Sequence, residues 1–536
     1  MKALLLYPQQ EDSYWGLNLT RRLAGVRGIA PPLALLTVAA SLPQSWELRL
    51  CDANLHPPTD EDWAYSDLVL ISSILPQRRA CLELVRAAKA RGKTVVVGGL
   101  YPWALPQELV DAGADHVVQG ESEAVVPLLL EALSSGRRGV ISAPEAPSLE
   151  SSPAPRFDLV TVRDYAYVVL QTTRGCPHDC EFCNVVSLYG RRVRAKPPAQ
   201  VLQEFEALYR TGYRGHVFIG DDNFIGSRPR ALQLLAAIKQ WQWERGEPFG
   251  LMVQATVDLG RDLEMIDALT AANVGPVFIG FESTDEKVLA GSDKVHNLRQ
   301  DPGEMVRTIC ANGLTVVGSF IVGLDGEPPG ASGRVIRFLE ETAVPTAMFS
   351  LLRSLPGTRL AARLEREGRA LDTVPASAAS DCLDLNYVPQ RPVAEILQEF
   401  ADLWRQAYEP SAVLARAYRY YRRMRPTRAA QAKQEGRPLA PKAAPARGPV
   451  PLDRRDLVVL CWIVWQEGFL RSTRFQFWRQ LLGMAWHNRS RVDLYLMAAA
   501  TAEEMISMRG SVLASHETWK RAQGGSPGPS VPDARS

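Results

Sequence analysis

Short continuous apolar runs alternate with amphipathic stretches through the first part of the chain. Ala3 to Tyr7, Glu47 to Cys51, Leu68 to Ser72, Thr94 to Val97 and His116 to Val118 read as strands. Between them, Pro32 to Ala40, Arg78 to Arg91 and Pro106 to Asp111 carry helical periodicity. Strands that are apolar on both faces and separated by helices signal a parallel sheet covered on both sides. The expected unit is a doubly wound domain over residues 1–141, with its ligand at the carboxyl ends of the strands.

A Pro/Ser-rich connector, 142–160, leads to a second α/β region over 161–365 with six strand–helix pairs. Its strands lie near Tyr167 to Gln171, His216 to Gly220, Leu251 to Ala255, Val277 to Phe281, Thr315 to Val322 and Ala347 to Leu352. Repeated βα units close into a parallel barrel or part of one, with the chemistry again at the carboxyl ends. An extension over 366–425 holds a helix from Pro392 to Tyr408 and the aromatic, basic run Tyr418 to Arg425. Residues 426–452 are rich in Pro, Ala, Lys and Arg and read as a flexible linker. Two or three helices are expected over 453–520 and a disordered tail over 521–536. In the helical region Trp462, Trp465, Phe475, Phe477, Trp478 and Trp486 lie among arginines. Such faces suit a membrane surface or an amphiphilic substrate, and they also pack small bundles.

Composition narrows the partners. Of 536 residues, 61 Lys and Arg oppose 59 Asp and Glu, so the net charge of +2 gives no electrostatic footprint for nucleic acid. The first apolar run, Met1 to Pro8, is too short for a signal peptide, and no run approaches the ~18 residues of a membrane span. Cys51, Cys81, Cys310, Cys382 and Cys461 show no paired spacing and read as buried small apolar residues in a reducing cytoplasm. The expected location is cytoplasmic, with peripheral membrane contact through the C-terminal region.

Candidate chemistry is concentrated in Gln171-Thr-Thr-Arg-Gly-Cys-Pro-His-Asp-Cys-Glu-Phe-Cys183, directly after an apolar strand. Cys176, Cys180 and Cys183 form a C-x3-C-x2-C array suited to holding a metal. Zinc wants a fourth ligand, for which His178 is the nearest candidate, and usually two separated ligand pairs. An iron-sulfur cube held by three cysteines leaves one iron open. Polar residues also gather at later strand ends: Gly220-Asp221-Asp222-Asn223, Gln254, and Gly280-Phe281-Glu282-Ser283. Acidic residues at successive strand ends supply acceptors for a ligand that carries an ammonium or hydroxyl groups. The basic segment Tyr189 to Lys196 contains Arg194 and Lys196, candidates for neutralising a carboxylate or a cluster.

The cysteine array resembles the signature of radical S-adenosylmethionine (SAM) enzymes, whose open iron chelates the amino and carboxylate groups of SAM. By that resemblance Asp221 and Asp222 stand near the methionine amine and Glu282 near the ribose. The strand ends of the first unit, taken in order, resemble the cobalamin-binding fold: Ser73-Ile-Leu75 and Gly98-Gly99 match the segments that flank the buried nucleotide tail, followed by Gly120-Glu121. The best-known version of that fold supplies a histidine to cobalt, and Asn54 stands in its place. Cobalamin without a histidine lower ligand is therefore expected.

The order of the whole is similar to cobalamin-dependent radical SAM enzymes, of the branch that includes the hopanoid C-2 methylases. The link Cys183 to Arg192 and the segment Gly220 to Gly226 carry the branch likeness, while Asn184 and Gln254 replace its usual aspartate and glutamate. The resemblance implies a 4Fe-4S cluster, SAM, methylcobalamin, and an electron donor such as flavodoxin or ferredoxin. It implies methylation of an unactivated carbon in a small-molecule substrate of hydrophobic, hopanoid- or lipid-like character. The alternatives are a cobalamin-containing radical enzyme that couples, cyclises or rearranges without methylation, and a corrinoid or iron-sulfur electron carrier.

Overall fold

A computed structural model describes residues 1–11, 16, 18–143, 145–371, 383–436 and 454–524. The first sheet contains β1 (Lys2–Tyr7), β2 (Glu47–Asp52), β3 (Leu68–Ser72), β4 (Thr94–Gly98), β5 (His116–Gln119) and β6 (Gly139–Ser142). All pairs are parallel, in the order β2-β1-β3-β4-β5-β6. Successive residues of its strands enter opposite cores. Leu4, Leu6, Val69, Ile71, Val95 and Val97 pack under one layer of helices, while Ala3, Leu5, Leu68, Leu70 and Val96 pack under the other. Two buried faces explain why these strands are apolar without alternation. The strand order reverses between β1 and β3, opening the crevice in which such sheets bind ligands. β6 lies outside the strands expected from the sequence, because its four residues are mostly exposed or half-exposed and run into the Pro/Ser-rich connector.

The second sheet begins with β7 (Val168–Leu170). A short antiparallel pair, β8 (Thr173–Arg174) with β9 (Arg194–Ala195), follows. Then come β10 (Gly215–Ile219), β11 (Phe249–Ala255), β12 (Val274–Glu282), β13 (Thr315–Val322) and β14 (Thr346–Leu351). β7 and β10 to β14 lie parallel in sequential order, the six strands expected. In β11 Phe249, Leu251, Val253 and Ala255 are buried, while Gly250, Met252 and Gln254 between them are half-exposed. One face is thus packed under helices and the other faces a cleft.

The C-terminal helices close the far edge of this sheet. Tyr408, which caps the helix Val393–Ala407, and Tyr420, on the helix Pro410–Arg423, reach the strands. Tyr408 Oη accepts from Ala347 N–H at 3.0 Å and bonds Ala347 O, satisfying the open edge of β14. Tyr420 Oη accepts from Val316 N–H and donates to Leu314 O, both at 2.9 Å. The helices Arg454–Trp465, Arg474–His487 and Val492–Gly524 complete the region, matching the expected two or three.

Three boundaries differ from expectation. The expected linker begins with the helix Arg428–Gln434, held to the turn before β11 by an Arg428–Glu247 pair at 2.7 Å; its stretch 437–452 lies outside the described residues. The helix Val492–Gly524 runs into the expected tail, of which 525–536 lie outside them. Cys461 is exposed, not buried, because it faces outward on its helix, and Cys382 lies outside the described residues. Among the described residues no helix is long and apolar enough to cross a membrane.

Candidate active site

The cysteine loop is built as a closed excursion from the second sheet. β8 and β9 pair at its base, and Cys176 N–H donates to Gly190 O. Gly175 turns the chain at φ +94°, where a Cβ would lie 2.6 Å from Arg192 O, so only glycine fits. Asp221 sets the entry to this loop. Fully buried at the end of β10, it accepts from the N–H groups of Thr172 at 2.6 Å and Thr173 at 2.9 Å, and from the Thr172 hydroxyl. The expectation that Asp221 faces a ligand gives way to this role in orienting the loop.

Asp222, the next residue, points differently. Burial and the neighbouring Asp221 push its carboxyl up to about 6, and its Oδ2 is buried with no hydrogen-bond partner. Asp222 adds its charge to the surroundings of Cys176 and Cys183. A buried acceptor without a donor asks for one from a ligand. The ammonium of SAM is such a donor, so this residue fits the group.

The thiols are partly enclosed: Cys180 is buried, and Cys176 and Cys183 are half-buried. Burial pushes the Cys180 thiol up to about 12. Among the described residues no three His, Cys, Asp or Glu side chains converge as they must around a single ion. A cube does not require that, since each thiolate takes a separate iron; a zinc centre does. His178, the candidate zinc ligand, instead stacks on His296 with ring centroids 3.8 Å apart.

Glu282 ends β12 with a left-handed backbone, φ +63°. Its Oε1 accepts from Lys294 Nζ at 2.6 Å, and both side chains are buried. Gly280 makes room for the pair, because a Cβ there would lie 2.9 Å from Lys294 Nζ and nearer still to Glu282. Burial opposes the charge on Lys294, but Glu282 and Cys180 raise its pKa above the ordinary lysine value. A retained cation beside thiolates lowers the cost of their charge. Sequence reasoning missed Lys294, a lone lysine in a loop with no motif around it.

At the first sheet the strand ends provide space. Gly99 has φ +104°, and a Cβ there would lie 2.5 Å from Ser73 O; Gly120 has φ +130°. The turns after β3 and β4 therefore meet backbone to backbone, joined by Ser73 N–H to Gly98 O at 3.0 Å. Ser73, Gly98, Gly99, Gly120 and Glu121 line a cavity of about 930 Å³. Leu75 does not: it packs into the core beneath the sheet, while Ile74 and Pro76 reach the cavity. Asn54 lies on the wall, donating to Asp52 at 2.8 Å and Pro8 O at 3.2 Å. His56 bonds Pro57 O and Cys51 at the edge of this loop and does not line the cavity.

The same cavity is bounded on its other side by Gln171, Tyr189, Phe218, Gly220 and Gln254 from the second sheet and its loop. Carboxyl ends of both sheets thus face one space. The seam between them is ionic. Arg174, two residues before Cys176, donates to Glu123 at 2.8 and 3.1 Å and to Glu121. Arg194 donates to Glu121 and to Pro147 O, so the expected neutraliser of a carboxylate or cluster is a bridge between the two sheets. Lys196 likewise pairs with buried Glu204 at 2.6 Å. Burial opposes ionisation of Glu123, but Arg174 outweighs it and draws the pKa down to about 2.

Comparison with known proteins agrees with this division. A B12 binding domain model matches residues 21–130, the radical SAM superfamily model residues 170–339, and a domain of unknown function, DUF4070, residues 358–518. The chain is 38% identical to an uncharacterized methyltransferase, sll1242, of Synechocystis sp., over 95% of this chain and 92% of that protein. It is 29% identical to the hopanoid C-2 methylase of Rhodopseudomonas palustris over 89% and 88%. Among solved structures, the radical SAM methyltransferase TsrM of Kitasatospora setae, with cobalamin and a 4Fe-4S cluster bound, has the same fold: TM-score 0.56 and 19% identity, over 75% of this chain and 84% of that one. With near-complete coverage of a relative at 38% identity, the chain belongs to the cobalamin-binding radical SAM methyltransferases.

Proposed function

We propose that this methyltransferase acts on an unactivated carbon of a hydrophobic, lipid-like small molecule, and that the cavity shared by the two sheets is where methyl transfer occurs. The observation that carries the reading is the single space lined by Gly98, Gly99 and Gly120 on one side and by Gly220 and Gln254 on the other. When bound, the cluster and SAM supply a carbon radical able to take hydrogen from an inert carbon, and methylcobalamin supplies the methyl group.

In this reading Cys176, Cys180 and Cys183 hold the cluster. Asp222 offers its unpartnered oxygen to the ammonium of SAM, and the Glu282–Lys294 pair places a cation beside the thiolates. Ser73, Gly98 and Gly99 let a planar ligand approach the backbone of the first sheet. With Asn54 at the position where the best-known version of the fold has histidine, a bound corrinoid would take no histidine from there. The Arg174–Glu123 and Arg194–Glu121 bridges hold the cysteine loop against the first sheet, and so would set the spacing of a cluster held by that loop from a corrinoid held by the sheet. A hydrophobic substrate is supported by the apolar wall residues Ile29, Leu33, Val38 and Leu188, and by the hopanoid methylase among the relatives. The reductant is a small electron carrier such as flavodoxin or ferredoxin, and the enzyme works in the cytoplasm.

The test supplies reduced, reconstituted enzyme with methyl-labelled SAM and a membrane lipid extract. Label is expected in the organic phase, dependent on cobalamin. Deoxyadenosine formation with the extract left unlabelled contradicts the lipid reading.

A further inference from the structure

The C-terminal helices carry an apolar surface that the cavity does not use. On the helix Arg474–His487, Phe475, Leu482 and Trp486 are 76%, 68% and 86% exposed. Their spacings of seven and four residues place them on one stripe. The preceding turn, Gln466–Leu470, adds Phe469 and Leu470, and Trp465 stands just before it. All three are more than half exposed. The two groups are continuous: Trp465 packs on Phe469 at 5.5 Å, and Phe469 meets Trp478 edge-on at 5.9 Å at the border of the stripe. Trp478 Nε1 donates to Gly468 O at 2.9 Å, and a Cβ on Gly468 would press on that indole at 3.0 Å. The arrangement is therefore fixed from beneath while its large rings face water. Exposed apolar patches of this kind mark interaction sites.

Charge selects the partner. Between residues 457 and 492 the sole acid is Glu467, which is buried. Exposed Arg474, Arg479 and Arg489 rim the face, and no carboxylate pairs with them among the described residues. Arg474 lies over the Phe475 ring at 4.9 Å. The chain's own segment 437–453 is a poor cover, since it brings Arg437, Lys442 and Arg447 against one Asp453. Tryptophan and phenylalanine ringed by arginine match the boundary between headgroups and acyl chains of an anionic bilayer.

We infer that the face formed by Trp465, Phe469, Leu470, Phe475, Leu482 and Trp486 seats the enzyme on an anionic lipid bilayer. The contact is peripheral, with the arginines at the headgroups, and it does not depend on which molecule is methylated.

Reconstituted full-length enzyme is sedimented with vesicles of phosphatidylcholine containing phosphatidylglycerol, and with phosphatidylcholine alone. Partitioning onto the anionic vesicles is expected to be at least about tenfold stronger and to weaken with salt. The double variant Phe475→Ser, Trp486→Ser is expected to lose at least about tenfold in partitioning. Because both side chains are exposed, it should keep its bound corrinoid and circular dichroism. Arg479→Glu with Arg489→Glu should abolish the preference for anionic vesicles. The inference is overturned if wild type and the Ser variant partition equally. It is also overturned if wild type ignores anionic vesicles and forms a dimer that the Ser variant splits, which would make the face a seam between two copies.

Discussion

The two parallel sheets present their carboxyl ends to one cavity but equip them in opposite ways. The first sheet offers volume: Gly99 and Gly120 adopt positive φ and leave space where side chains would stand. Of its acids, Glu121 and Glu123 are taken up by arginines from across the seam, and Asp52 accepts from Asn54 and the Tyr165 hydroxyl. The second sheet offers charge: Asp222 keeps an unpartnered buried oxygen, and Glu282 holds Lys294 near the thiols. A bulky, weakly charged cofactor needs room, whereas a charged cofactor and an anionic cluster need fixed counter-charges in a place of low dielectric. One βα architecture therefore meets two demands through what it places at its strand ends.

The largest effect separates the two ends. Cys176→Ala, Cys180→Ala or Cys183→Ala should reduce deoxyadenosine to background, because two thiolates hold a cube poorly. Visible absorbance should show corrinoid still bound. Loss of corrinoid together with the cluster would show that the ends are not separable.

The converse change is Gly99→Val. Its Cβ would lie 2.5 Å from Ser73 O at a left-handed φ, a strain of about 1–3 kcal/mol with the added branches worsening the clash. Corrinoid retention should fall by at least about tenfold while SAM cleavage in the reduced enzyme persists. Asp222→Asn keeps the shape and removes the charge. Its expected cost is roughly tenfold to a hundredfold in SAM affinity by equilibrium dialysis, with corrinoid content unchanged. A smaller effect is expected at the seam. Glu123→Gln weakens the bond to Arg174 by about 1–3 kcal/mol, and methylated product per deoxyadenosine should fall as the sheets lose registration. An unchanged ratio would remove the bridge from the coupling of the two cofactors. The smallest effect expected is none: protein labelled with isotopic histidine should give the same cob(II)alamin EPR spectrum as unlabelled protein. A changed nitrogen coupling would contradict cobalt without a histidine ligand.

Much of this was legible in the chain. Two-sided burial of Leu4 to Leu6 and Leu68 to Ile71 wrote the first sheet as plain apolar runs, and the alternating burial of β11 wrote the second. The cysteine spacing marked its loop because the ligands are near in sequence. Partners far apart in sequence left no such mark. Lys294 meets Glu282 only through the loop after β12, and Arg174 meets Glu123 across 51 residues and two sheets. Asp221 and Asp222 are adjacent, so their opposite roles depend on which carboxylate turns toward Thr172, a matter of backbone direction. The basic segment around Arg194 looked free because its acid, Glu121, lies 73 residues earlier. In the C-terminal helices the aromatic pattern divides: Phe477 is fully buried in the bundle, whereas Phe475 and Trp486 face solvent.

The central claim is that one cavity brings the SAM side and the corrinoid side together for methyl transfer. The most direct measurement reconstitutes the protein anaerobically with iron, sulfide and cobalamin, reduces it with methyl-labelled SAM, and follows deoxyadenosine, S-adenosylhomocysteine and bound corrinoid in one sample. The account predicts that all three appear; deoxyadenosine formed by protein that retains no corrinoid would contradict it.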